Sequence, residues 1–115
     1  MVATKSISFR YLAVLTLCGH ACRYCGDEAT TIDHIMPRRL GGRDHEKNLT
    51  AACSRCNSVK GTRRLPIELE RDLLAEAHIR IDDVKRLAAV IQSQRDMARL
   101  RRKNLGSAGA VALPS

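Results

Sequence analysis

The sequence predicts an α+β fold, with two short strands in the middle of the chain and helices on either side. Gly, Cys and His are concentrated in the middle, whereas helical spacing of apolar residues is confined to the two ends. The 115 residues include 3% aromatic residues and no Trp, so the hydrophobic core must be thin. Two C-x-x-C pairs can supply the missing stability by binding a metal ion.

Residues 1–19 are predicted to form an N-terminal helix. Apolar side chains occur at helical spacing at Ile7, Tyr11, Leu15 and Cys18. Ser6 can serve as the N-cap, because a serine oxygen accepts a hydrogen bond from the first turn of a helix. The segment Leu12–Leu17 taken alone also fits a strand, so that alternative stays open at this point.

Residues 20–64 are typical of a loop-rich metal module. Strands are predicted over Thr31–Ile35 and Asn48–Thr50, joined by a long loop that contains the Gly41–Gly42 pair. A helix should follow over Ser54–Lys60, and the glycine that comes next suits its C-terminal end. The chemistry of the protein is expected in this segment.

Residues 65–105 have the composition of helices. A short helix should begin with Pro66 in its first turn and run to about His78, and a longer one, capped by Asp82, should reach about Asn104. The apolar stripe of the longer helix comprises Val84, Leu87, Ala88, Ile91 and Ala98. Residues 106–115 are rich in Gly, Ala and Ser and are predicted to be a disordered tail.

The longer helix would be too long for so small a core to cover. We expect its apolar stripe to pack on the N-terminal helix through Leu12 and Leu15. Its Arg-rich end beyond Arg95 would then project toward nucleic acid, a second subunit in a homodimer, or a larger protein partner.

The two cysteine pairs predict one structural zinc. Each C-x-x-C turn brings two thiolates to one ion, and two pairs complete a tetrahedral site. The predicted ligands are Cys22, Cys25, Cys53 and Cys56. The alternatives are two redox dithiols, unconnected buried cysteines, or substitution by Cys18 or His20. Since the fifth cysteine leaves an odd count, a metal site in a reducing compartment fits better than a disulfide framework.

A series of short motifs begins between the two cysteine pairs and ends just after the second pair. They are Asp33-His34-Ile35-Met36-Pro37, Gly41-Gly42, Asn48-Leu49, Cys53-Ser54-Arg55-Cys56-Asn57 and Lys60-Gly61. In this order they resemble the HNH endonuclease family, in the variant that ends its motif with Asn and braces its ββα-metal (His-Me) finger with a four-cysteine zinc site. The resemblance covers roughly Cys22 to Arg64.

The resemblance assigns roles to four residues. His34 corresponds to the general base, and an imidazole suits proton abstraction near neutral pH. Asp33 and Asn57 correspond to ligands of a catalytic Mg²⁺ or Mn²⁺, and Asn48 to a residue that steadies the finger. Because Asp33 and His34 would point to opposite faces of a strand, the backbone must bend or the Asp must reach around. His45 and His78 are interpreted as solvated bystanders, although His45 could approach the metal if its loop folds inward.

A formal net charge of +8 predicts attraction to a polyanion. Seven cations in the middle segment are candidates for binding nucleic acid, and no acidic residue occurs between Asn48 and Pro66. They are Arg38, Arg39, Arg43, Arg55, Lys60, Arg63 and Arg64. A charge run is ordinarily only a solvated face, but the scarcity of acidic neighbours favours the functional interpretation.

Taken together, these patterns predict a metal-dependent HNH endonuclease that hydrolyses phosphodiester bonds in DNA. One alternative is a non-catalytic zinc-finger module that binds nucleic acid. Another is a nuclease component that acts only with a larger partner. No apolar run reaches the length of a membrane span, so we expect no membrane contact and a cytoplasmic location in a bacterial or phage-infected cell. The resemblance is compatible with a phage or mobile-element role.

Overall fold

The computed structural model describes residues 7–108, and within them the chain forms a two-stranded sheet surrounded by helices. In chain order the elements are α1 (Phe9–Leu17), β1 (Thr31–His34), β2 (Leu49–Ala52), α2 (Ser54–Lys60), α3 (Ile67–Ile79) and α4 (Ile81–Ala108). The strands and α2 form a ββα unit, and the predicted α+β class is confirmed. The division into a core at 20–64 with separate extensions stays a prediction.

Helix α1 begins later than predicted. The hydroxyl of Ser8 accepts a hydrogen bond from the backbone N–H of Tyr11 at 3.1 Å, which makes Ser8 the N-cap. Ser6, the predicted cap, lies outside the described residues. The helix continues to Leu17, so the strand alternative for Leu12–Leu17 is wrong. The short apolar run forms a helix because the N-cap stabilises its start and because one face of the run packs on the rest of the protein.

The two strands pair antiparallel, with His34 opposite Leu49. The backbone N–H of Ile35 still donates to the carbonyl of Asn48 at 2.8 Å, just beyond the last ladder pair. β1 ends at His34, one residue before the predicted end at Ile35. β2 starts at Leu49, one residue after the predicted start at Asn48. β2 also extends to Ala52, because all four of its residues are buried between neighbouring elements.

Helix α2 has the predicted bounds. The Sγ of Cys53 accepts a hydrogen bond from the backbone N–H of Cys56 at 3.3 Å and acts as the N-cap. Gly61 ends the helix with φ of 58°, a value that favours glycine. One short helix therefore carries two cysteines at its start and Asn57 and Lys60 on its later turns.

The C-terminal helices follow each other almost without a break. Only Arg80 separates α3 from α4, and its guanidinium donates to the carbonyl of Leu49 in β2. Asp82 therefore lies in the first turn of α4 and does not cap it. Helix α4 also continues past the predicted end at Asn104 to Ala108, so residues 106–108 of the predicted tail are helical, whereas 109–115 lie outside the described residues.

A buried cluster confirms that α4 packs on α1. Its members are Ala13, Val14, Leu49, Val84 and Ala88. The predicted α1 residues were wrong, because Val14 and not Leu12 faces α4. Leu15 packs instead with Ala51 and Ala52 near the cysteines. Among the helices of residues 7–108, none combines the length and apolarity that a membrane crossing requires.

Candidate active site and zinc centre

The four cysteines of the two C-x-x-C pairs meet in one cluster. Their Sγ atoms all lie within 4.8 Å of one another, and those of Cys25 and Cys53 are 3.7 Å apart. Zn–S bonds of about 2.3 Å in a tetrahedron separate the sulfurs by about 3.8 Å, so the spacing fits one Zn²⁺. Neither Cys18 nor His20 belongs to the cluster.

Backbone N–H groups point at the sulfur atoms of this cluster. The donors and acceptors are Tyr24 N to Cys22 Sγ at 3.4 Å, Asp27 N to Cys25 Sγ at 3.5 Å and Cys56 N to Cys53 Sγ at 3.3 Å. Burial opposes ionisation of Cys22, but neighbouring backbone N–H groups outweigh it and lower the pKa of this thiol to about 6. Cys22 therefore has thiolate character, which zinc requires of its sulfur ligands, whereas contacts with Cys53 and then Cys25 raise the pKa of Cys56.

A cavity of about 210 Å³ lies between β1, the loop that follows it, and α2. Asp33, His34 and Asn57 all line it, together with Arg38 and Arg39. The chain bends at the two residues directly after His34, at the end of β1. Asp33 and His34 thus border the same cavity although side chains alternate along β1, and the bend follows the two residues instead of lying between them.

The Asp33 carboxylate is buried and held from two sides. The ammonium of Lys60 lies 3.1 Å from its Oδ2 and also donates to the carbonyl of His34 at 2.9 Å. The hydroxyl of Tyr24 donates to Asp33 Oδ2 at 2.6 Å, and burial, followed by this hydrogen bond, raises the pKa of the tyrosine. The carboxylate is thereby fixed in orientation, and it keeps further lone pairs for a metal ion.

Two hydrogen bonds donated by the side-chain nitrogen orient the amide of Asn57. Nδ2 donates to Thr31 Oγ1 at 3.1 Å and to the carbonyl of Ile32 at 3.3 Å. Within residues 7–108 no donor reaches the amide oxygen Oδ1. A carboxylate and a free amide oxygen bordering one cavity are hard donors, so the site fits a divalent cation such as Mg²⁺ or Mn²⁺.

The imidazole of His34 is held by a residue that the sequence did not single out. Its Nε2 lies 3.0 Å from Oδ1 of Asp44, which comes from the loop between the strands. The hydroxyl of Tyr11 donates to the same oxygen at 3.0 Å. The contact with His34, followed by those with Tyr11 and Arg10, outweighs partial burial and lowers the pKa of Asp44 to about 2.

Asn48 bonds to the backbone of the loop and does not line the cavity of Asp33, His34 and Asn57. Its Oδ1 accepts from the backbone N–H of Met36 at 2.8 Å, and its Nδ2 donates to the carbonyls of Met36 at 3.0 Å and Arg43 at 2.9 Å. A Cβ on Gly42 would lie 1.8 Å from the Met36 carbonyl oxygen, so this loop can close only with glycine there. The loop that carries Arg38, Arg39 and Asp44 thus has a defined shape.

The seven candidate cations differ in what they contact. Arg38 and Arg39 line the cavity of Asp33, His34 and Asn57, and Arg43 lines a separate cavity of about 370 Å³ together with His45 and His78. The other four are engaged within the protein. Lys60 pairs with Asp33, Arg64 with Glu70 and Arg55 with Asp27, while Arg63 donates to carbonyls of α2. Lys60 was predicted to bind nucleic acid, but its side chain is buried and its ammonium pairs with Asp33.

Sequence reasoning missed Tyr11, Tyr24 and Asp44. Asp44 lies two residues after the Gly pair, in a stretch where acidic residues looked like ordinary loop polarity. Only the fold of the loop back toward α1 reveals its contact with His34. For the two tyrosines the sequence contained only a weak indication of a role in the site. The chain has few aromatic residues, and these two lie near polar motifs.

Comparisons with known proteins found one matching family and one similar structure. Residues 22–63 match the family HNH endonuclease. A crystal structure of the Type II-C Cas9 enzyme from Actinomyces naeslundii aligns with 76% of this chain at 25% sequence identity and a TM-score of 0.49, and the aligned part is 11% of that enzyme. No curated protein matches the chain. Residues 22–63 contain both the cysteine cluster and the cavity of Asp33, His34 and Asn57, so the match to the HNH endonuclease family covers both of these features.

Proposed function

We propose that this protein is a metal-dependent endonuclease that hydrolyses phosphodiester bonds in DNA. The observation that carries the proposal is the single cavity bordered by Asp33, His34 and Asn57, with Arg38 and Arg39 at the same opening. A base, two hard-oxygen ligands and two cations are the groups that hydrolysis of a phosphodiester requires.

Each residue has one task in this mechanism. His34 accepts a proton from the water that attacks phosphorus. Asp33 and Asn57 hold a divalent ion, Mg²⁺ or Mn²⁺, which when bound supplies stabilisation of charge on the phosphate and on the leaving oxygen. Arg38 and Arg39 bind and orient the phosphate backbone. The zinc cluster fixes the start of α2, and with it the position of Asn57.

The rival function is a zinc module that binds nucleic acid without cutting it. Such a module needs the cysteine cluster and the cations. Binding without cleavage does not require a buried Asp33 held by Lys60 and Tyr24. It also does not require an Asn57 amide whose oxygen accepts no hydrogen bond within residues 7–108. These features favour the enzyme. A homodimer or a larger partner bound through α4, and the cytoplasmic location, stay predictions.

The first test is cleavage of supercoiled plasmid with and without Mg²⁺ or Mn²⁺. Wild type should cut only with the divalent ion. His34→Ala should lower the rate by roughly 100- to 10,000-fold, because the base acts in the transition state. Its circular dichroism and zinc content should match those of wild type, since His34 is not a zinc ligand.

Two outcomes would remove the nuclease mechanism from this site. One is wild type that binds plasmid but never cuts it with any divalent ion, which would leave the zinc-module function. The other is cleavage by His34→Ala at the wild-type rate.

Arg38 and Arg39 have no ion-pair partner within residues 7–108, so they predict a specific salt dependence of DNA binding. The double variant Arg38→Ala/Arg39→Ala should bind a short DNA duplex more weakly. Its slope of log affinity against log salt should be shallower by about 1.8, since each lost phosphate contact removes about 0.9. Arg64→Ala is the matched control, because Arg64 is already paired with Glu70. A slope for the double variant equal to that of wild type would mean that Arg38 and Arg39 do not contact phosphate.

A further inference from the structure

The His34 ring is connected to helix α1 through one carboxylate. Asp44 Oδ1 lies 3.0 Å from His34 Nε2, 3.0 Å from the Tyr11 hydroxyl oxygen and 3.4 Å from Arg10 Nη2. Tyr11 and His34 also touch directly, with ring centroids 6.4 Å apart and ring planes at 75°. The imidazole therefore has a polar contact at one nitrogen and an aromatic edge contact beside it.

This arrangement fixes which nitrogen of His34 carries the proton. An ionised carboxylate can only accept hydrogen bonds, so its contact with a neutral imidazole places the hydrogen on Nε2. Nδ1 is then the nitrogen with a free lone pair. A base that must accept a proton from water needs such a lone pair, held in a constant direction.

Asp44 is itself held by groups on a rigid element. The Arg10 guanidinium bonds the Asp44 backbone carbonyl at 3.1 Å and Glu46 at 3.0 Å. Helix α1 is anchored by the buried Ala13 and Val14. Both Arg10 and Tyr11 lie outside residues 22–63, the segment that matches the HNH family.

We propose that Asp44 is a positioning residue for His34, and that Tyr11 holds Asp44 in place, so that the active site extends beyond the family domain into helix α1. The proposal rests on the proposed function, in which His34 is the base. Asp44 contacts neither the phosphate nor the metal ligands in this scheme. It acts on the rate through the orientation and tautomer of His34.

Steady-state cleavage of a DNA oligonucleotide at saturating divalent ion tests the proposal. Asp44→Asn should lower kcat by roughly 10- to 100-fold with KM unchanged, which is less than removal of the base itself. The asparagine amide can donate to Nε2 and so favour the wrong tautomer. Tyr11→Phe should lower kcat by a smaller factor. Glu76→Gln is the matched control, because Glu76 is a carboxylate of similar exposure that pairs with Arg23 and should leave kcat unchanged.

The imidazole nitrogen spectrum of His34 separates this proposal from the proposed function. In ¹⁵N-labelled protein at a pH where the ring is neutral, wild type should carry the hydrogen on Nε2, and Asp44→Asn should shift it toward Nδ1. If wild type never cleaves DNA but the tautomer shifts, the nuclease function fails and the positioning contact stands. If wild type cleaves, and Asp44→Asn keeps both kcat and the tautomer, the positioning role is overturned while the nuclease stands.

Discussion

Removal of zinc is expected to unfold the ββα unit of this protein. Each strand contains four residues, and the sheet within residues 7–108 has two strands. The cluster that packs on its inner face includes Cys22 and small residues such as Ala29, Ala51 and Ala52. Such a core contributes little, whereas a structural zinc site binds with an apparent free energy of about 10–16 kcal/mol. Thermal melts by circular dichroism with and without a strong chelator should show the loss.

Cysteine variants make this prediction specific to the metal. Cys25 is exposed, so Cys25→Ser removes a ligand with little loss of packing. It should lower both the bound zinc, measured by elemental analysis, and the melting temperature. Cys18→Ser is the control, because Cys18 is partly buried but lies outside the cluster. A chain that contains no zinc and still melts cooperatively at the same temperature would contradict the prediction.

Lys60→Met is expected to be the most destabilising single change in the catalytic cavity. The side chains of Lys60 and Asp33 are 7% and 6% exposed, so the substitution leaves a carboxylate buried without its cation. Breaking a buried ion pair on one side costs about 3–5 kcal/mol. The free energy of unfolding, measured by urea denaturation with zinc bound and without another divalent ion, should fall by that amount.

The control for Lys60→Met is Lys85→Met, which removes an exposed lysine of α4 and should change the free energy of unfolding by less than about 0.5 kcal/mol. Addition of Mg²⁺ should narrow the deficit of Lys60→Met, because a divalent ion on Asp33 replaces the missing charge. Equal stability of the two variants would mean that the ammonium contributes nothing to the buried carboxylate.

Much of the fold could be predicted because local chemistry determines it. Helix α2 has the predicted bounds, since a cysteine N-cap and a glycine end are both written in the sequence. The bounds of α4 could not be predicted. Asp82 looked like a cap, but the helix starts earlier because Arg80 alone joins it to α3 and bonds β2. Which residues of α1 would meet α4 also depended on the angle at which the helices pack.

The candidate site, like the fold, could be predicted from the sequence only in part. Adjacent motif residues identified Asp33, His34 and Asn57, and the structure brings them to one cavity. The partners of these residues come from far along the chain. Asp44 is 10 positions from His34 in the sequence, and Tyr11 is 33 positions from Asp44. No periodicity or spacing rule links such positions, so the hydrogen bonds that orient the site became visible only in three dimensions.

Different elements hold the two residues that the proposed mechanism uses for the ion and for the proton, although both residues border one cavity. Asp33 meets Tyr24 and the Lys60 ammonium of α2, whereas the His34 ring meets Asp44 and Tyr11 of α1. In the proposed mechanism, substitutions in α1 would act mainly on proton transfer, and substitutions in α2 mainly on the ion. Sequence divergence would then adjust metal preference and cleavage rate as two largely separate traits of one small domain.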